Sequence, residues 1–331
     1  MSQQNSYLND FVKINDSLVT GKPVETKEAK TIRIKRKEAI EFDVNGEIKQ
    51  MFISQSLIHR LLFKGTERTD VCPRNLLKTY ITRDMFSPDS DAMLYGRYFE
   101  TKCIGSGADE MVLDLPRNAI NGKRRVDHDR IDKAIEKFEY VKQTCGLIIE
   151  KRNVQIPLSK PWVDPEKKNQ PSFPVFITGT ADLVSSFGSK LHGIEEQIYC
   201  IDLKLTTDRE QCYWDKEKPW QTFAWGCIET MDHIQGVMYS MLSDLPFMYL
   251  VFDYKPKGGN ADWKPVLVKT IVSHPNDNEY KIRQKEMEQS IRWTIGKLQM
   301  FHEEGWQPYQ CDACKKCPVE SCPFKYIVKP I

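Results

Sequence analysis

Two strand-like runs constrain the fold more than any other feature of this sequence. They are residues 175–187 (VFITGTADLVSSF) and 198–207 (IYCIDLKLTT), and in each run polar side chains alternate with apolar ones. Side chains alternate between the two faces of a strand, so Asp202 and Lys204 share one face while apolar neighbours occupy the other. Antiparallel pairing of the runs as a hairpin brings Asp182 of the first run beside Asp202.

The spacing along the second run predicts how its two charged side chains are arranged. Successive residues on one face of a strand are about 7 Å apart. We therefore expect Asp202 and Lys204 to point into a common space and flank a site, without being forced into a tight ion pair. One face of the hairpin is predicted to be core, and the other is predicted to carry the chemistry.

The composition is that of a globular protein of ordinary charge. The 331 residues are 40% hydrophobic and 28% charged, with a formal net charge of +2. Composition alone therefore indicates neither a nucleic-acid partner nor a membrane partner. The longest apolar run, residues 246–252, is too short to span a bilayer, and residues 1–10 lack the basic and apolar regions of a signal peptide. We expect an intracellular, cytoplasmic protein that does not contact membranes.

Hydrophobic periodicity predicts an alternation of helices and strands. Helices are predicted at 54–62, 72–81, 91–107, 129–146, 232–244 and 278–304. Besides the two runs, strands are predicted at 31–47, 246–254 and 264–272, and a Pro-rich connection at 157–174. This order predicts an α/β or α+β fold in which helices cover a mixed sheet. We divide the chain into an N-terminal extension (1–50), a core (51–305) and a cysteine-rich tail (306–331).

Three side chains outside the hairpin are candidates for the same site. Glu100 lies in the helix at 91–107, and its ordinary interpretation is an exposed helix glutamate. Gln235 and Tyr239 are four residues apart, so they share one face of their helix. Their ordinary interpretation is a solvated glutamine beside a partly buried tyrosine. The sequence contains no G-x-S-x-G, phosphate-loop or H-E-x-x-H motif that would favour a different catalytic set.

These residues, taken in order, resemble the PD-(D/E)XK nuclease superfamily. The resemblance rests on Gly179–Asp182 (GTAD), Asp202–Lys204 (DLK) and Gln235–Tyr239 (QxxxY), preceded by a helix bearing Glu100. It is greatest to the RecB-like branch, which includes AddB-type and CRISPR-associated nucleases and, more distantly, lambda-type exonucleases. The resemblance covers about residues 54–322. It implies a restriction-endonuclease-like mixed central sheet flanked by helices, in a bacterial or phage-infected cell.

The resemblance also implies roles for individual residues. Asp182 and Asp202 would bind Mg²⁺ or Mn²⁺, together with the carbonyl of Leu203. Lys204 would position or activate the attacking water and stabilise the charge at phosphorus, and the QxxxY pair would support that lysine and the DNA. Glu100 falls where many RecB-like nucleases have a histidine, and a carboxylate there is also a suitable metal ligand.

The cysteines near the C-terminus indicate a second metal site. Cys311, Cys314, Cys317 and Cys322 fall within twelve residues, which is typical of metal ligands. One interpretation is a structural zinc site with four cysteine ligands. The other is a 4Fe–4S cluster, because iron–sulfur members of the RecB-like group use a Cys-Pro-Arg near the start of the domain, similar to Cys72 here, with three C-terminal cysteines. We favour the cluster, although the last gap is one residue shorter than usual and Cys311 is surplus.

The functional prediction is a divalent-metal-dependent deoxyribonuclease. The resemblance implies an exonuclease that processes DNA ends in recombination or repair, with a partner protein in that pathway. Lys123, Arg124 and Arg125 are candidate contacts to the DNA backbone, and their ordinary interpretation is a solvated basic surface. The alternative function is a non-catalytic DNA-binding or assembly module stapled by zinc or an iron–sulfur cluster, which would be expected to lack part of the acidic set.

Overall fold

Strand-forming and helix-forming segments give a mixed α/β protein with a mixed central sheet and helices. The structure, a computed structural model, describes residues 24–25, 30–33, 38–61, 71–83, 90–105, 110–117, 125–166, 171–190, 194–206, 233–254, 267–273, 275–276 and 278–308. The strands are β1 (Val24–Glu25), β2 (Lys30–Arg33), β3 (Ile40–Phe42), β4 (Ile48–Ser54), β5 (Glu110–Asp114), β6 (Val154–Pro161), β7 (Val175–Ser189), β8 (Ile194–Thr206), β9 (Phe247–Asp253) and β10 (Leu267–Ser273). The helices are α1 (Gln55–Leu61), α2 (Pro73–Leu76, continued by a π-helical turn, Leu77–Ile81), α3 (Asp91–Ile104), α4 (Val126–Thr144), α5 (His233–Ser243) and α6 (Asn278–Glu303).

The chain divides into two compact units. The first unit comprises Met1–Lys35, Asp89–Leu158 and Thr180–Tyr280. The second comprises Arg36–Pro88, Ser159–Gly179 and Lys281–Ile331. The three segments predicted from the sequence stay predictions.

In the first unit, the sheet has the strand order β10-β9-β8-β7. β7 pairs with β8 and β9 pairs with β10 in antiparallel fashion, whereas β8 and β9 are parallel. The parallel pair requires a crossover, which includes α5. β1, β2 and β5 form a separate antiparallel sheet.

Helices α3 and α4 cover one face of this sheet through an aromatic cluster. Phe99 of α3 and Phe138 of α4 both lie against Phe252 of β9, with ring centroids 5.2 and 5.8 Å apart. The same buried cluster contains Leu183 and Ile201, from the hairpin strands β7 and β8. The apolar face predicted for the hairpin is therefore confirmed as core.

In the second unit, the first residues of β7 pair with β4 in parallel, and β4 pairs with β3 in antiparallel fashion. The turn between β3 and β4 falls at Asn45-Gly46 as predicted, and Gly46 has the positive φ, 83°, that favours glycine. Ser54 accepts a hydrogen bond from the backbone N–H of Leu57 at the start of α1. In the same unit, Arg292 pairs with the fully buried Asp164 at 2.9 Å.

The predicted helices are confirmed to within a few residues of their ends, as are the strands at 246–254 and 264–272. Other strands differ from the prediction. β1, β4 and β5 lie outside the predicted strands, and Pro157 lies inside β6 rather than in a connection. Alternation of side chains along β6 puts Val154, Ile156 and Leu158 in buried positions, so the prolines obscured a real strand pattern. Of the helices in the described ranges, none is long and apolar enough to cross a membrane.

Candidate active site

The hairpin of β7 and β8 brings the two predicted metal ligands together, within the first unit. Leu183 pairs with Ile201 in the antiparallel register, and Asp182 and Asp202 are the residues next to this pair. The backbone N–H of Leu203 donates a hydrogen bond to Oδ2 of Asp182 at 3.0 Å. The predicted proximity of the two aspartates is therefore confirmed. The described contact of Leu203 with the site is made by its N–H, so the predicted role of its carbonyl as a ligand stays a prediction.

Lys204 forms a tight ion pair with Asp202, which the strand spacing allows but does not require. Its Nζ lies 2.6 Å from Oδ2 of Asp202. The strand spacing fixes only the backbone, and the flexible lysine side chain folds back over two residues. It does so over the ring of Tyr249, whose centroid is 5.9 Å from Nζ. Partial burial strengthens the attraction, since opposite charges interact more strongly in a low-dielectric environment.

Gln235 of α5 holds the other oxygen of Asp202. Its Nε2 donates to Oδ1 of Asp202 at 2.6 Å, and its Oε1 accepts a hydrogen bond from the hydroxyl of Tyr249 at 3.1 Å. All three side chains are buried. Gly236 allows α5 to lie close to β9, because a Cβ at that position would lie 3.2 Å from the ring of Phe247.

Tyr239 is one turn further along α5 and contacts the backbone of β7. Its hydroxyl donates to the carbonyl of Thr180 at 2.9 Å and accepts from the N–H of the same residue at 3.3 Å. Thr180 is two residues before Asp182 on the same strand. The QxxxY pair therefore supports the two aspartates, one through a side chain and the other through the backbone. The support of lysine and DNA predicted for this pair stays a prediction.

Glu100 is linked to Asp182 by hydrogen bonds from Gln155, a residue that no sequence motif indicated. Gln155 of β6 donates from its Nε2 to Oε1 of Glu100 and, at 3.4 Å, to Oδ1 of Asp182. One amide group therefore bridges Glu100 and Asp182, so Glu100 lies near the aspartates, as a candidate residue of the same site should. No pattern around Gln155 indicates this role, because its position depends on an unusual backbone conformation, with φ at 51°.

Burial and crowding of carboxylates dominate the electrostatics of this cluster. Burial raises the pKa of Asp182 well above its usual value, and the charges of Glu100 and Asp202 raise it further. Burial lowers the pKa of Lys204, but the carboxylates of Asp202 and Asp182 outweigh burial and leave that pKa raised. Lys204 is accordingly an ammonium at neutral pH, whereas Asp182 is driven towards its protonated form.

Carboxylate oxygens are the ligands that Mg²⁺ and Mn²⁺ prefer, so the donor chemistry of the cluster suits these ions. Within the described ranges, however, no group of three or more histidine, cysteine, aspartate or glutamate side chains could hold a metal ion. Mg²⁺ is commonly held by one or two carboxylates together with waters and substrate phosphates. Asp182 and Asp202 fit that mode of binding without a complete protein cage.

The predicted cysteine site can be located only in part. Cys72 is buried as a free thiol immediately before α2. Cys311, Cys314, Cys317 and Cys322 lie outside the described residues, so both the iron–sulfur and the zinc hypotheses stay predictions. Cys103, Cys145 and Cys200 are buried free thiols, as expected of small hydrophobic residues.

The predicted DNA-binding residues are also only partly described. Arg125 precedes α4 and forms an ion pair with Asp91 at the start of α3, at 2.8 Å. This contact joins the beginnings of the two helices. Lys123 and Arg124 lie outside the described residues, so their contact with DNA stays a prediction.

No protein-family model matches the chain, and no curated protein matches it. The chemistry of the cluster formed by Glu100, Asp182, Asp202 and Lys204 is therefore the basis for a function.

Proposed function

We propose that this protein is a divalent-metal-dependent deoxyribonuclease with a restriction-endonuclease-like core of the RecB-like type. The observation that carries the proposal is the convergence of Glu100, Asp182, Asp202 and Lys204 on one part of the sheet, from three separate segments of the chain. Crowding buried carboxylates destabilises a fold unless a cation offsets their repulsion. Such an arrangement is better explained by a bound cation than by stability alone.

Mg²⁺ or Mn²⁺ would be held by Asp182 and Asp202, and the amide of Gln155 links Glu100 to Asp182 beside them. A divalent ion at such a site supplies charge neutralisation at the phosphate and activation of the attacking water. The protein positions the ligands: the N–H of Leu203 fixes one oxygen of Asp182, and the amide of Gln235 fixes one oxygen of Asp202. The second oxygen of Asp182 lies 3.4 Å from the amide nitrogen of Gln155, and the second oxygen of Asp202 is paired with Lys204 at 2.6 Å.

The protonation state of Lys204 defines its role. A lysine with a raised pKa is a poor general base, since it seldom gives up its proton at neutral pH. Lys204 is therefore expected to act as a positive charge that stabilises negative charge developing on the phosphate. This requires the ammonium to exchange part of its contact with Asp202 for a phosphate oxygen, which the flexible side chain permits.

The substrate that this chemistry suits is DNA, and the resemblance to RecB-like nucleases favours an exonuclease acting on DNA ends during recombination or repair. Arg125, with Lys123 and Arg124 before it, remains the candidate for contact with the phosphate backbone. The 4Fe–4S cluster or zinc proposed for Cys72 and the tail cysteines would be structural, and its loss would destabilise the fold.

The test uses purified protein, linear DNA and covalently closed circular DNA, with and without Mg²⁺ or Mn²⁺. Lys204→Ala is compared with Lys142→Ala, because Lys142 also forms a 2.6 Å ion pair, with Glu139 on the surface of α4. We expect metal-dependent degradation of linear DNA by the parent and by Lys142→Ala, and none by Lys204→Ala. Survival of the closed circle identifies an exonuclease. If parent and variants all bind DNA but none cleaves it, the non-catalytic DNA-binding module is the better description.

A further inference from the structure

Gln155 occupies a position between two carboxylates that nothing in the sequence pattern singles out. Its amide nitrogen donates to Glu100 on α3 and, at the longer distance of 3.4 Å, to Asp182 on β7. Glu100 is carried by a helix and Asp182 by a strand, so no common element fixes their separation. The amide of Gln155 is the group that spans them.

The backbone around Gln155 is held in a conformation that aims the side chain at this gap. Gln155 has φ at 51°, a left-handed conformation that residues other than glycine rarely adopt. Such conformations persist only where the surroundings impose them, and they are concentrated at functional sites. The surroundings here are well defined, because the turn before β6 is closed by a buried asparagine.

That asparagine, Asn153, fixes the strand from which Gln155 projects. Its side chain donates to the carbonyl of Ile148 at 2.7 Å and accepts from the N–H of Glu150 at 2.7 Å. Its own carbonyl accepts a hydrogen bond from the N–H of Val184 at 2.9 Å. Asn153 is two residues before Gln155, and Val184 is two residues after Asp182, so the pairing of the two segments sets Gln155 beside Asp182.

A neutral donor in this position has a specific physical effect. An amide N–H₂ can hold two carboxylates by hydrogen bonds, but unlike a lysine it leaves their charge in place. The carboxylates are then kept at a fixed separation while still attracting a cation. Outer-shell groups of this kind orient metal ligands, and their removal typically weakens metal affinity by about 10-fold to 100-fold.

We propose that Gln155 is a positioning residue that draws Glu100 to Asp182 and so sets the affinity of the site for a divalent cation. This inference rests on the proposed function, since it treats both carboxylates as groups that face the cation. Gln155 acts through Glu100, so we do not expect it to contact the substrate. Its removal is expected to change the concentration of metal required more than the turnover at saturating metal.

The experiment measures Mn²⁺ affinity by calorimetry, together with thermal unfolding in a metal chelator. Gln155→Gly removes the hydrogen bonds to two carboxylates, which lowers stability, and relieves the left-handed backbone, which raises it, so unfolding in chelator measures the net effect on the metal-free protein. Its Mn²⁺ affinity should fall by about tenfold or more. Asp244→Gly is the matched control, because Asp244 also has a positive φ, 57°, but lies in the exposed turn after α5. The control should bind Mn²⁺ as the parent does.

A double variant shows whether Gln155 acts through Glu100. If it does, adding Gln155→Gly to Glu100→Gln lowers Mn²⁺ affinity no further than Glu100→Gln alone. DNA cleavage by Gln155→Gly should recover to near the parental rate when Mn²⁺ is raised to saturation. Gln155→Leu, which keeps a side chain of similar length, replaces the glycine variant if the latter does not fold.

Two results overturn the inference, and they are distinguishable. If the parent binds Mn²⁺ and cleaves DNA while both Gln155 variants retain parental Mn²⁺ affinity, Gln155 does not position the site and the proposed function stands. If the parent binds neither Mn²⁺ nor Mg²⁺, the proposed function and this inference fail together.

Discussion

Removing the hydroxyl of Tyr249 tests how Asp202 is held, because the change is small and its effects are separable. Tyr249→Phe deletes the donor to Oε1 of Gln235 but retains the ring that lies 5.9 Å from Nζ of Lys204. Leaving a buried acceptor without its donor costs about 1–3 kcal/mol. We therefore expect the free energy of unfolding to fall by about that amount.

The same change should loosen Gln235 and, through it, the oxygen of Asp202 that Gln235 holds at 2.6 Å. Loss of such outer-shell support typically lowers metal affinity or activity by about 10-fold to 100-fold. Urea-induced unfolding measures the stability, and cleavage of linear DNA over a range of Mn²⁺ concentrations measures the function. Both are followed at a temperature well below the unfolding transition.

Tyr199→Phe is the control that separates an effect on stability from an effect on cleavage. Tyr199 is equally buried on β8, and its hydroxyl donates to the carbonyl of Glu195 at 3.0 Å, away from the aspartates. It should lose a similar free energy of unfolding but keep parental cleavage. If the two variants lose activity equally, general destabilisation explains the effect. Parental Mn²⁺ dependence in a folded Tyr249→Phe protein would refute the reasoning outright.

Three further changes test other parts of the structure. Because the folded, metal-free protein has a raised pKa at Asp182, it binds more protons than the unfolded chain, so its stability should fall as pH rises above the ordinary value of 3.8. Asp182→Asn should remove this fall in stability, so in chelator at neutral pH the variant should unfold at a higher temperature than the parent. Adding Mn²⁺ should not raise that temperature further. A pH profile of stability unchanged from that of the parent would contradict the raised pKa of Asp182. Gly188→Ala should destabilise the hairpin by about 1–3 kcal/mol in urea unfolding, because a Cβ there would lie 2.7 Å from Cβ of Glu196, and parental stability would show that the strands can separate without cost. Cys72→Ser should lose iron in a metal analysis of protein purified without oxygen, whereas zinc retained at the parental ratio would identify a zinc site formed by the tail cysteines alone.

The parts of the fold that the sequence predicts are those with a strong local period. The hairpin, helix α5 and the proximity of Asp182 to Asp202 all follow from alternation, helical spacing and strand pairing, and the structure confirms them. Tyr249 could not be singled out in the same way, since it lies in an uninterrupted apolar run where a buried hydroxyl gives no signal. Its role is defined by Gln235, fourteen residues earlier, which reaches it only after folding.

The role of Gln155 and the ion pair of Lys204 could not be predicted from the sequence for a similar reason. Side-chain direction in a regular strand follows from alternation, but Gln155 departs from strand geometry with its positive φ. Gln155 follows a local turn closed by Asn153 and lies where the chain pairs with β7, and this pairing is a tertiary feature. Likewise, the spacing of Asp202 and Lys204 fixes their Cα atoms, whereas four rotatable bonds and a neighbouring ring decide where the ammonium lies.

The donors around the carboxylates explain how the site could be stable and yet ready for a cation. Gln235 holds Asp202, the N–H of Leu203 holds Asp182, and Gln155 holds Glu100, so each carboxylate accepts a hydrogen bond from a neutral group. Neutral donors reduce the cost of burying a carboxylate but do not cancel its charge. Within the described residues of the cluster, three carboxylates face the single ammonium of Lys204. The excess negative charge, when the three are ionised, matches that of one divalent ion, which is why exchange of a proton for Mg²⁺ or Mn²⁺ is the reaction that we expect this cluster to favour.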